Sequence, residues 1–222
     1  MLCSPFVSSQ VTSDVFDKIY KNKLWGPEGD GSGPGSTIKY TSFLRRLLER
    51  FIEEHNVTTI VDAPCGSFHW APLLIQSLLL KRHHVTYTGL DIVQSEIERL
   101  QKEWPNDRWP SISFQHADIT KDPLPQNMDL IWSRDALQHL SEENVKKALA
   151  NFKLANPKFL ILGGYLGTSN SNILDGGYFL FSPLQPPYSL QPQYIMYENG
   201  VKGELKKHLF VFDWLGMQSW NF

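Results

Sequence analysis

The chain has 222 residues, 41% of them apolar and 20% charged, with 7 Trp, 8 Tyr and 13 Phe, which is the make-up of one folded globular domain and excludes wholesale disorder. Lys and Arg number 21 against 23 Asp and Glu, a formal charge of -2, so there is no basic surplus to follow a nucleic-acid backbone. Two cysteines, Cys3 and Cys65, give no disulfide framework, and no apolar run approaches the roughly 18 residues of a membrane span.

Residues 1–10 have neither a basic start nor a long apolar stretch, so no secretory leader is expected; with the sparse cysteine this points to a reducing, cytoplasmic compartment. Residues 13–22 and 37–55 read as helices, the second with Phe43, Leu44, Leu47, Leu48 and Phe51 at helical spacing and Thr37 as its cap. Between them lies the run Gly31-Ser32-Gly33-Pro34-Gly35-Ser36. Glycine at that density means a tight path: a linker, or a turn whose amides face an anion.

From residue 57 to 163 an apolar β-branched run alternates with an amphipathic stretch, the signature of βαβ units and a parallel sheet. The strands fall at 58–62, 85–91, 111–116, 128–133 and 158–162. Helices fall at 69–80, 94–104 and 141–151, the last with Ser141 as N-cap and Glu142 and Glu143 in its first turn. Residues 163–193, rich in Gly, Pro, Asn and Ser, read as loop or lid. Residues 194–198 and 208–214 close the chain as a β-hairpin whose loop opens with Asn199-Gly200. One domain is expected over 1–222: an N-terminal helical cap (1–56), a core (57–163) and a loop with the hairpin (164–222).

In an open parallel sheet, ligands lie outside the carboxyl ends of the strands. The first strand runs into Asp62-Ala63-Pro64-Cys65-Gly66-Ser67-Phe68, a small-residue turn; the second ends in Asp91, suited to ribose hydroxyls. The third leads to Ala117-Asp118-Ile119, the fourth to Ser133-Arg134-Asp135 and on to His139. Plainer readings stand beside these: Asp91 as a helix cap, Asp118 as a turn former, Trp25 and Trp70 as core aromatics rather than pocket walls. Asp135 and His139 are four apart, so on a helical turn they share a face, and a carboxylate-oriented imidazole makes a general base; a capping or packing histidine is the alternative. No histidine has metal-ligand spacing, and no metal is expected.

Acid after the first strand, acid ending the second and Ala-Asp-Ile after the third, in this order, resemble the class I, Rossmann-like S-adenosylmethionine-dependent methyltransferases over about residues 58–162. Trp25 with the Gly-Ser run, Asp62-Ala-Pro-Cys-Gly with Trp70, Arg134-Asp135 with His139-Leu140 and Pro186-Pro187 narrow the likeness to a small, largely bacterial subgroup without an assigned substrate. The resemblance implies an α/β fold: a doubly wound, mostly parallel seven-stranded sheet with a C-terminal antiparallel hairpin, helices on both faces and an N-terminal helical cap.

It also implies S-adenosyl-L-methionine as cofactor and S-adenosyl-L-homocysteine as product. Asp62 and the backbone of Ala63, Pro64 and Gly66 would hold the methionine end, Asp91 the ribose, Ile92 the adenine face, Asp118 and Ile119 the adenine edge, with Trp25, Ser36, Trp70 and Arg134 completing the site. Pro64 and Phe68 stand where the family has glycine, and Tyr178 and Phe179 where it tends to have an arginine. The reaction expected is methyl transfer to oxygen or nitrogen of a small-molecule or glycan-like acceptor under Tyr178, Phe179, Phe181 and Tyr188, with His139 or Asp135 as base and neither nucleic acid nor membrane as partner. Two rivals are a catalytically silent cofactor-binding protein and a nicotinamide-dependent dehydrogenase; the second lacks its G-x-G-x-x-G fingerprint.

Overall fold

A computed structural model describes residues 12–198 and 206–220; Cys3, the leader reading of residues 1–10 and the Asn199-Gly200 opening of the hairpin loop lie outside them. Seven strands form one sheet: β1 (Thr59–Asp62), β2 (Thr86–Asp91), β3 (Ile112–His116), β4 (Leu130–Ser133), β5 (Phe159–Tyr165), β6 (Tyr194–Glu198) and β7 (Lys207–Asp213). Their order is β3-β2-β1-β4-β5-β7-β6. The first five pair in parallel, and β7 pairs antiparallel with both β5 and β6, as expected from the alternating pattern and the closing hairpin. The helices are α1 (Thr12–Lys21), α2 (Ser42–Glu54), α3 (Ala71–Leu80), α4 (Gln94–Glu103), α5 (Glu142–Leu154) and α6 (Trp214–Gln218). Among the described residues no helix is long and apolar enough to cross a membrane.

Successive strand residues feed opposite cores, because side chains alternate across a sheet. Val61, Ile131, Leu160, Leu162, Phe210 and Phe212 join α1, α5 and α6 on one face. Ile60, Leu130, Trp132, Ile161, Leu209 and Val211 join α2, α3 and α4 on the other. A sheet covered on both faces needs near-continuous apolar strands, and "TIVD", "LIWS" and "FLILGGY" are that.

Several boundaries move, each for a local reason. Helix α2 begins at Ser42 rather than Thr37: the Thr37 hydroxyl accepts from the Tyr40 amide (3.2 Å) and the Thr41 hydroxyl donates to the Thr37 carbonyl (2.9 Å), closing a separate turn. Helix α3 begins at Ala71, since Gly66 and Phe68 both have left-handed φ (55° and 57°) that no helix continues through. Strand β5 runs on to Tyr165 because β7 keeps pairing there, Gly163 with Leu209 and Gly164 with His208. Trp214 opens α6, capped by Asp213, whose carboxylate accepts from the Gly216 amide at 2.8 Å. Ser141 does cap α5, accepting from the Asn144 amide.

The start of β4 is tied to β1 by one carboxylate: Asp129 Oδ2 accepts from the Thr58 amide and hydroxyl (both 2.8 Å) and the Thr59 amide (3.1 Å). Burial pushes the Asp129 pKa up, but these donors outweigh it and hold it below the ordinary value. Asp129→Ala is expected to lower stability by about 2 kcal/mol in urea unfolding near neutral pH. The gap between variant and parent should shrink as the pH falls and the parent's carboxylate takes up its proton.

Candidate active site

The carboxyl ends of β1 to β4 open onto one cavity of about 930 Å³, mouth included. Its opposite wall comes from ahead of the sheet: Thr12, Phe16 and Tyr20 of α1, then Trp25, Ser32 and Ser36. Asp62, Asp91 and Asp118 meet on its rim, all three buried. Asp62 accepts from the Tyr87 hydroxyl at 2.7 Å; burial pushes its pKa up to about 7 against the pull of that hydrogen bond. Asp91 accepts from the Val93 amide on one oxygen and the Gly66 amide on the other, both at 2.9 Å. Burial raises it to about 6 although both amides favour the anion. Asp118 accepts from the Thr120 amide (2.9 Å) and hydroxyl (2.6 Å), and Lys121 lies 3.2 Å from its other oxygen. Asp118 therefore does form a turn and Asp91 does tie local backbone, while both still face the cavity. Ile92 and Ile119 line it between them.

The turn after β1 is less open than expected. Ala63 donates its amide to the Trp132 carbonyl (3.0 Å), is fully buried and does not reach the cavity. Cys65 N–H bonds Leu90 O (2.8 Å), Phe68 N–H bonds Cys65 O (3.2 Å), Gly66 N–H bonds Asp91 and Ser67 N–H bonds the Ser32 hydroxyl (3.0 Å). Pro64 has no N–H, so among these residues no backbone donor is left over. Phe68 occupies its glycine-like conformation because its ring is gripped by Tyr87, Trp104 and Phe114 at 4.9–5.2 Å.

The Gly-Ser run is not a free linker: the Ser32, Gly33 and Ser36 amides close short turns on the Gly29, Glu28 and Gly33 carbonyls, and Ser32 pins the run to the β1 turn through Ser67 and the Tyr20 hydroxyl (2.9 Å). A Cβ on Gly66 would fall 2.7 Å from the Ser32 hydroxyl, so the one glycine in the turn makes room for the protein's own serine. Ser36 lines the cavity with its hydroxyl 3.4 Å from the Ser32 carbonyl. The two tryptophans satisfy both readings offered for them. Trp70 stacks on Trp132 in the core and Trp25 packs on Phe16 and Tyr20, and both wall the cavity.

The Arg134-Asp135-His139 group departs most from expectation. Asp135 has φ 56° and only a 3-10 turn, Leu137–His139, follows it, so no helical face joins the two side chains. Asp135 is held by Lys207, 2.7 Å from each oxygen, and by Arg134 at 2.9 Å. Arg134 also grips Glu198 through Nε (3.0 and 3.1 Å) and Nη2 (2.5 Å), so its guanidinium is engaged within the protein while the residue still lines the cavity. Burial pushes the Asp135 carboxyl up, but Arg134 and Lys207 outweigh it and hold it well below the usual carboxylate range, so Asp135 is a poor base. His139 Nδ1 donates to the Gly177 carbonyl at 2.8 Å, which leaves the lone pair on Nε2 of a ring that lines the cavity. Burial lowers the His139 pKa, against smaller upward pulls from Gly177 and Asp135. Glu198 and Lys207 escaped the sequence reading; they face each other across the β6–β7 pair, and their only trace is charge at the ends of apolar strands. Of the aromatic segment, only Tyr178 is exposed; Phe179, Phe181 and Tyr188 are core.

Residues 60–155 match the sequence model of a methyltransferase domain family. No curated protein matches the chain. Among solved structures, it resembles 1,6-didemethyltoxoflavin-N1-methyltransferase from Burkholderia thailandensis, bound to its substrate and S-adenosylhomocysteine, with TM-score 0.62, 13% identity, and 95% of this chain and 92% of that one covered. It also resembles the N-methyltransferase NodS from Bradyrhizobium japonicum WM9 in complex with S-adenosyl-L-homocysteine, with TM-score 0.60, 16% identity, and 91% and 97% covered. The match over residues 60–155 likens this segment to the methyltransferase domain family, and the seven-stranded, mostly parallel sheet is the Rossmann-like fold that the two solved structures share.

Proposed function

We propose that the whole chain is a single methyltransferase domain that binds S-adenosylmethionine in this cavity and transfers its methyl group to oxygen or nitrogen of a small-molecule acceptor. The observation that carries the reading is the convergence of Asp62, Asp91, Asp118 and His139 on one cavity at the carboxyl ends of β1 to β4. The donor set fits the cofactor. Asp91 keeps lone pairs for ribose hydroxyls, Asp118 for an amino group, and Ile92 and Ile119 supply apolar faces for a purine. Asp62 suits an ammonium, whereas the engaged amides of the β1 turn do not suit a carboxylate. The bound S-adenosylhomocysteine of the two neighbours named above is consistent with this placement.

When bound, the cofactor supplies an activated methyl on a sulfonium; the protein's part is to hold an acceptor in line and take its proton. His139 is the base in this reading. Its Nδ1 is fixed on Gly177, its Nε2 carries the lone pair, and its lowered pKa keeps it neutral at physiological pH. Asp135, matched by two cations, serves as a fixed charge beside it.

His139→Ala should cut kcat by about 10²–10⁴-fold while leaving S-adenosylhomocysteine affinity in calorimetry within a few-fold. In the parent, the rate should rise with pH through a value below that of free histidine and then level off. Full turnover by the variant, or a rate that falls over that range, would remove His139 as the base.

Asp62→Asn separates stability from binding. With its pKa raised to about 7, the unliganded Asp62 binds its proton more tightly folded than unfolded, so its stabilising contribution is lost as the pH climbs from about 4 to 7. The variant should therefore melt at a higher temperature than the parent at pH 8, by an amount on the order of 2 kcal/mol in stability, with much less gain at pH 5. Cofactor affinity should fall tenfold or more.

A further inference from the structure

The acceptor side of the cavity has a chemistry of its own. Its charges cancel: Arg134 and Lys207 are balanced by Asp135 and Glu198, joined in one chain from Glu198 through Arg134 and Asp135 to Lys207. The remaining carboxylates on the cavity wall, Asp62, Asp91 and Asp118, belong to the cofactor end. What surrounds His139 is aromatic. Trp25 lies 4.7 Å from its ring at 33°, and Tyr178 lies 5.6 Å away on the other hand, 55% of it exposed. Exposed apolar side chains flank these rings in sequence: Leu24 beside Trp25, and Leu166 beside Tyr165, whose hydroxyl meets that of Tyr178 at 3.2 Å.

Resting on the methyl-transfer reading above, we propose that the acceptor is a neutral, flat ring compound bearing an acidic O–H or N–H, a phenol or a lactam-type heterocycle, seated on Tyr178 with its proton directed at His139 Nε2. A lone pair of the acceptor forms the new bond to the methyl carbon, the carbon–sulfur pair stays on sulfur, and the acceptor proton passes to Nε2.

Three other classes fit poorly. An alkylamine arrives as an ammonium with a pKa of about 10.4 and needs a free carboxylate, but Asp135 is already held by two cations. An anionic acceptor finds Lys207 and Arg134 equally engaged. A sugar hydroxyl is a weaker acid than a phenol, at about 10, and asks more of a weak imidazole base.

The test is calorimetry on the full chain saturated with S-adenosylhomocysteine, titrated with 2-naphthol, 2-naphthoate, 2-naphthylmethylamine and methyl glucoside. The expectation is that 2-naphthol binds at least tenfold tighter than either charged analogue and the glucoside does not bind. Tyr178→Ala should weaken 2-naphthol at least fivefold, with Tyr178→Phe close to the parent; methyl-labelled cofactor should then mark the naphthol oxygen. A charged analogue or the glucoside binding as well as 2-naphthol overturns the inference. So does absence of 2-naphthol binding at millimolar concentration to protein that binds S-adenosylhomocysteine, and in that case the cofactor reading stands. If S-adenosylhomocysteine itself does not bind, the methyl-transfer reading falls and this inference with it.

Discussion

A guanidinium buried at the end of β4 has to be matched by carboxylates, since an unpaired charge in the interior costs several kcal/mol. Arg134 finds Glu198 at the end of β6 and Asp135 beside it, and Asp135 in turn draws Lys207 from the start of β7. The network brings the parallel part of the sheet and its antiparallel edge together at the mouth of the cavity. The residue that follows β5's apolar core shows the same constraint: a Cβ on Gly163 would come within 3.2 Å of the Arg134 side chain. Tyr40, ahead of α2, lays its ring 5.9 Å from the Arg134 guanidinium and 5.3 Å from Lys207 Nζ, so the N-terminal cap is fastened to the same charges. Those same charges hold the Asp135 carboxyl well below the usual carboxylate range.

The cavity carries the opposite kind of electrostatics. Asp62 and Asp91 sit where burial favours the protonated form, with pKa values of about 7 and about 6, so the unliganded domain holds two carboxyls at a cost to its own stability. Groups in such a state gain from a partner that brings hydrogen-bond donors or positive charge. A nucleoside with an ammonium tail brings both, and binding and folding then reinforce each other.

The βα alternation and the acids at three strand ends were legible in the sequence because each depends on near neighbours: short apolar runs, a cap, a turn. What escaped depends on partners far along the chain. The ion pair of Arg134 was not legible because its partner Glu198 lies in a hairpin 64 residues on. The Asp135–His139 pairing presumed a helix, and the left-handed backbone at Asp135 prevents it. Phe179, Phe181 and Tyr188 looked like a ligand surface, yet the loop that carries them folds them into the core and leaves Tyr178 outside.

The serine at position 32 gives the covering segment an unusual standing. Its hydroxyl stands in for a ligand at the Ser67 amide, and it occupies the hollow that Gly66 leaves. A larger residue at position 66 would then strike this lining before it met any guest. Impaired cofactor capture in such a mutant would report displacement of this lining, and it should not be taken as proof that the guest itself touches that glycine.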